Sequence, residues 1–209
     1  MKVLAVFTSK GGSGKSTVAI HLAVLASQQK RQNKVLVLDY DVQSSSRSWT
    51  QIREAETPAV LPATAGDLSG ILAQARKEDF DLVIVDMPPH SAANADVVMR
   101  ESDLVVIPVR PSALDLWALE TTVDAVRSNG ARGVFVLNQV PPTGSEGDEA
   151  EKALRDLAPR VPVAKSRLVM RKAFSTALNG GMAITEFAPP SDKASKEAVS
   201  LFKEIKGML

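Results

Sequence analysis

Nine residues near the N-terminus, Ser9-Lys10-Gly11-Gly12-Ser13-Gly14-Lys15-Ser16-Thr17, constrain this chain more than any other stretch. An apolar run over 3–7 precedes them and reads as a buried strand. A helical pattern over 16–28 follows. That strand–loop–helix setting is what a phosphate-binding loop requires. Glycines allow successive amide N–H groups to turn inward, and the helix N-terminus adds partial positive charge. In such a loop Lys15 reaches the β- and γ-phosphates, and the Ser16 hydroxyl ligates Mg²⁺.

Ser9 stands where the general pattern has glycine, and a second lysine, Lys10, follows it at once. Lys-Gly-Gly-x-x-Lys-Ser is the deviant form of the loop, and with it the sequence resembles the ParA/MinD family of ATPases. The resemblance implies ATP and Mg²⁺ as cofactors, held by Lys10, Gly11, Gly12, Ser13, Gly14, Lys15, Ser16 and Thr17. It further implies that Lys10 crosses a dimer interface to the phosphates bound by a second copy.

Apolar runs at 3–7, 35–38, 82–85, 104–107 and 134–137 alternate with helical segments and are rich in Val, Ile and Leu. Unbroken apolar runs of this kind are parallel strands buried on both faces. The fold class is therefore α/β, a doubly wound, mostly parallel sheet with helices on both faces and ligands at the strands' carboxyl ends. At 209 residues with 44% hydrophobic content, one domain over 1–209 is expected.

The run at 35–38 leads into Asp39-Tyr40-Asp41-Val42-Gln43, with two carboxylates where a cap needs one. The resemblance gives Asp41 the positioning of the attacking water, although Val42 replaces the family's proline. The run at 82–85 ends in Asp86-Met87-Pro88-Pro89. Paired with a phosphate-binding loop this reads as Walker B, with Asp86 holding Mg²⁺ through water. His90 reads as a loop residue without a partner for base catalysis.

Pro108-Val109-Arg110-Pro111-Ser112-Ala113-Leu114-Asp115 precedes a helical pattern over 116–127. Two readings stand: an ordinary loop with Asp115 as helix cap, or the Pro-Ser segment near which subunits of the resembled family meet. Trp117 is expected to pack. Asn138 ends the fifth strand, where the resemblance implies a hydrogen bond to adenine, and turn formation is the alternative.

With 25 basic and 24 acidic residues, overall charge favours no partner. Residues 157–185 nevertheless hold Arg160, Lys165, Arg167, Arg171 and Lys172 with no carboxylate. A solvated positive face explains such a run. The resemblance implies that Lys165, Arg167, Arg171 and Lys172 bind DNA without sequence preference, and Arg53 and Lys77 are expected to face elsewhere. The absence of cysteine excludes disulfides and iron–sulfur clusters. No apolar run is long enough to span a membrane, no signal peptide is evident, and the last helical pattern, 193–209, reads as a core helix. A cytoplasmic protein is expected, nucleoid-associated when ATP-bound.

The resemblance covers nearly the whole chain and, with no DNA-binding domain ahead of the loop, points to the small ParA type. It implies an ATP-dependent homodimer that binds DNA non-specifically and segregates a plasmid or positions another cargo. A ParB-like or cargo-adaptor partner would stimulate hydrolysis. The alternatives are an ATP-dependent ligase or carboxylase of the dethiobiotin-synthetase type, which Lys10 argues against, and a MinD-like membrane-associated positioning ATPase.

Overall fold

The computed structural model describes residues 1–29, 33–41, 45–64, 66–89 and 92–209. Its strands are β1 (Lys2–Val6), β2 (Val35–Asp39), β3 (Ala59–Pro62), β4 (Leu82–Asp86), β5 (Leu104–Val109) and β6 (Gly133–Leu137). All pair in parallel, in the order β3-β2-β4-β1-β5-β6. From central β1 the chain winds outward to β2 and β3, returns to β4, then crosses to β5 and β6 on the other side. The crevice above the carboxyl end of β1 is thus the switch point where open parallel sheets bind ligands.

The apolar runs divide by parity, because successive side chains of a strand face opposite ways. Val3, Ala5 and Phe7 enter one core with α3 (Leu68–Lys77), α4 (Ala92–Glu101), α6 (Glu120–Ser128) and α7 (Glu146–Leu157). Leu4 and Val6 enter the other with α1 (Lys15–Ser27), α8 (Lys172–Asn179) and α10 (Lys193–Met208). The helix α10 starts where the Asp192 side chain accepts a hydrogen bond from the Ala194 N–H at 2.8 Å, and it buries Ala198, Leu201, Phe202 and Ile205, as its periodicity predicts. Among the described residues no helix is long and apolar enough to cross a membrane.

Four features depart from the sequence reading. The strand β3 is a short, partly exposed edge ending in Pro62, so it lacks the buried apolar signature of the other five. The pattern over 116–127 is two helices, α5 (Ala113–Trp117) and α6, turning at Ala118 and Leu119. Ser112, extended at φ −138° and ψ 135°, holds the cap position of α5, and Asp115 is buried in an ion pair instead of capping. Trp117 does not pack in the core: it is 73% exposed, beside exposed Leu114.

Candidate functional site

The loop after β1 is fixed from below and from both sides. The Ser9 N–H donates to Thr122 Oγ1 at 3.0 Å, and its hydroxyl donates to the Ala118 carbonyl at 3.0 Å. Opposite, the Asn138 carboxamide donates to the Ser13 carbonyl at 2.7 Å and Gln139 to the Gly12 carbonyl at 3.2 Å. Gly14, at φ +88°, is the residue from which α1 starts, and a Cβ there would collide with the Asn138 carboxamide. Only glycine meets both requirements.

Lys15 is 7% exposed, and its ammonium donates to the Lys10 carbonyl at 3.2 Å. Burial lowers its pKa, opposed by the charges of Asp86 and Asp41. This ammonium is a partly desolvated cation whose hydrogen bond, among the described residues, is to that carbonyl. The Lys10 Nζ lies 4.0 Å from Asp115 Oδ1, and Lys10 is not among the residues lining the cavity that Lys15 and Asp41 share.

Asp86 lies at the end of β4, in register with Val6 of β1 and Asp39 of β2. Its Oδ2 accepts a hydrogen bond from Ser46 at 2.8 Å, while Oδ1 is buried with no hydrogen-bond partner among the described residues. Burial raises its pKa to about 6, against hydrogen bonding by Ser16 and Ser46, and the Asp39 charge raises it further. A buried carboxylate with an unsatisfied oxygen beside the Ser16 hydroxyl fits a divalent cation, whose charge would supply what the site lacks.

The two aspartates at the carboxyl end of β2 have different positions. Asp39 is buried and its Oδ1 accepts from the Asp41 N–H at 3.0 Å, fixing the turn. Asp41 lines a cavity of about 920 Å³ with Gly12, Lys15 and Thr17. The far wall is Trp49 and Ile52 of α2 (Ser45–Ile52) with Leu178 of α8. Lys15, Ser16 and Asp41 line this cavity, while buried Asp86 sits against Ser16 and buried Asn138 holds the Ser13 carbonyl. Val42, Gln43 and His90 lie outside the described residues.

The C-terminal cations are not brought together as a free patch. Arg167 is paired with Asp148 at 2.7 Å and Glu151 at 2.6 Å, and Arg171 with Glu197 at 2.7 Å. Absence of carboxylates in the local sequence concealed this, because the partners come from α7 and α10. Lys165 and Lys172 remain exposed. Arg53 is not a surface residue either. Its side chain is 3% exposed, pairs with Glu186 at 2.8 Å and stacks 4.5 Å over Trp49.

Sequence reasoning missed Ser46, Gln139, Thr122 and Arg110. Gln139 adjoins a flagged asparagine, and Arg110 lies inside the Pro-Ser segment, so both had a local signal. Ser46, within a run of serines, and Thr122, mid-helix, had none.

The sheet order and the glycine loop at its switch point define a P-loop ATPase, with ATP and Mg²⁺ as cofactors. The family model for the CobQ/CobB/MinD/ParA nucleotide binding domain matches residues 4–184, and the chain belongs to that family. It is 32% identical to the maintenance of carboxysome distribution protein A of Gloeobacter kilaueensis, covering 98% of this chain and 92% of that one. The protein of the same name from Halothiobacillus neapolitanus is 27% identical over 97% and 95%. Among solved structures, an ATP complex of a McdA variant from Cyanothece superposes with TM-score 0.76 at 20% identity, covering 99% of this chain and 96% of that one.

Proposed function

We propose that this ATPase positions an intracellular cargo by an ATP-dependent cycle of self-association and non-specific DNA binding. The observation that carries the reading is Lys10, a second cation on the loop that lies near Asp115 and is not among the residues lining the cavity with Lys15. Two ATP molecules facing each other across a dimer repel, and Lys10 of each copy is suited to neutralise the other's phosphates. Lys15 holds the β- and γ-phosphates, Ser16 and Asp86 hold Mg²⁺, Asp41 orients the attacking water, and Asn138 retains its Oδ1 for the adenine amino group. Mg²⁺, when bound, neutralises charge on the phosphate oxygens. Two relatives are named for carboxysome distribution, which favours a protein assembly as cargo as readily as a plasmid. In either case a partner stimulating hydrolysis releases the DNA-bound state.

The DNA surface follows from which cations are free to meet phosphate. Arg167 and Arg171 already satisfy carboxylates, so Lys165 and Lys172 carry more of the contact than the sequence reading implies. Fluorescence anisotropy on unrelated duplexes across a salt series tests the proposal. If about four phosphates are neutralised per dimer, the log–log slope is near −3.6, a loss of roughly 150-fold between 50 and 200 mM salt. Binding should require ATP, and Lys165→Ala with Lys172→Ala should flatten the slope. Nucleotide-independent binding, or an unchanged slope in the double variant, contradicts it.

A further inference from the structure

Asp115 is a buried acid beside a loop built for phosphate. Its side chain is 4% exposed, in the first turn of α5. Two cations meet it. Arg110 grips it with both sides of the guanidinium fork, Nε to Oδ2 and Nη2 to Oδ1, the latter at 3.0 Å. Lys10 shares the same Oδ1 at the outer limit of an ion pair, 4.0 Å, with over a third of its side chain in solvent.

The two cations are not equivalent. A planar fork satisfies a carboxylate by itself, whereas an ammonium at 4.0 Å is held by charge alone. Lys10 can therefore leave Asp115 without orphaning a buried charge, an event that is otherwise strongly unfavourable. Arg110 also runs beneath the loop: a Cβ at Gly12 would sit 3.6 Å from its Nη1, and Gly12 has φ +76°. Arg110 is thus seated between the loop and the acid.

We infer that Arg110 is a positioning residue for the ATPase cycle, which occupies Asp115 so that Lys10 is free to engage the phosphates bound by a second copy. Among the described residues Lys10 and Arg110 are the cations paired with Asp115. Without the guanidinium, Lys10 is drawn in to neutralise the acid and is withheld from the interface. The inference rests on the proposed role of Lys10 and adds what controls its availability.

The test is the dimerisation constant, by sedimentation equilibrium with the non-hydrolysable β,γ-imido analogue of ATP and Mg²⁺. If Arg110→Ala leaves Lys10 free in about one subunit in ten, each subunit weakens association tenfold and the dimer roughly 100-fold. Nucleotide affinity of the monomer, measured with ADP, should stay within about threefold of the wild-type value, because Arg110 is paired with Asp115 and is not among the residues lining the cavity with Lys15. Adding Asp115→Asn removes the acid that captures Lys10, so Arg110→Ala/Asp115→Asn should recover dimerisation to within about threefold of wild type. Asp115→Asn alone should dimerise as well as wild type, and it keeps the inference testable should Arg110→Ala fail to fold.

Wild-type dimerisation in Arg110→Ala overturns the inference. So does equal weakness in Arg110→Ala and the double variant, the result of a purely structural role, or loss of the dimer in Asp115→Asn alone. Lys10→Ala separates this from the underlying reading: if it dimerises normally, the role of Lys10 itself is wrong.

Discussion

The helix behind the phosphate-binding loop carries a buried histidine that should make the fold acid-labile. His21 is 3% exposed. Its Nδ1 lies 2.7 Å from the Thr17 carbonyl, so that nitrogen carries the hydrogen, while Nε2 is buried with no hydrogen-bond partner among the described residues. The ring meets Phe174 edge-on at 5.3 Å. Burial pushes its pKa from 6.5 down to about 4, against smaller effects of the Thr17 carbonyl and the Glu186 charge. A base with a depressed native pKa takes up its proton first in the unfolded state. Its stabilising effect is complete above pH 6.5, is lost as pH falls toward 4, and is gone below that. Two and a half decades of acidity at 1.36 kcal/mol each amount to about 3 kcal/mol, a large fraction of a typical domain's stability. Urea unfolding of wild type and His21→Leu at pH 7.5, 6, 5 and 4 isolates this contribution, because other titrating groups cancel in the difference. Wild type should lose about 3 kcal/mol relative to the variant between the first and last pH. Parallel profiles would refute the reasoning.

Further outcomes follow from the site. Asp86→Asn should stabilise the ligand-free protein at pH 7.5, because a carboxylate raised from 3.8 to about 6 destabilises the fold above pH 6 and ceases to do so below 4. The gain is at most about 3 kcal/mol by urea unfolding, and Mg²⁺-dependent nucleotide binding should be lost. Lys15→Ala should lose nucleotide affinity, whereas Asp41→Ala should bind ATP and turn over at least tenfold more slowly in a phosphate-release assay, about 1.4 kcal/mol of barrier. Gly14→Ala forces a left-handed alanine into the Asn138 carboxamide. It should cost on the order of 1–3 kcal/mol in thermal unfolding and weaken ATP binding.

The sheet was largely legible because parallel strands buried on both faces advertise themselves as unbroken Val, Ile and Leu runs. The strand β3 escaped because an exposed edge has no such pressure on its residues. The placement of the loop, Asp41 and Asp86 at strand ends was legible for a different reason: each follows an apolar run, whereas the roles assigned to them came from the family resemblance. Partnerships between distant segments were not legible. Nothing in the spacing around Arg167 indicates Asp148 or Glu151, and nothing around Arg53 indicates Glu186, since each pair forms only when separate helices pack. A residue's type similarly misled at Trp117, where bulk suggested burial and the break between α5 and α6 left the ring in solvent.

The central claim is that Lys10 converts bound ATP into self-association. Light scattering on the purified protein with ADP, and with ATP under blocked hydrolysis, measures it directly. Wild type should be monomeric with ADP and dimeric with ATP, while Lys10→Ala should bind ATP and remain monomeric. An ATP-bound Lys10→Ala dimer of wild-type affinity would contradict the account.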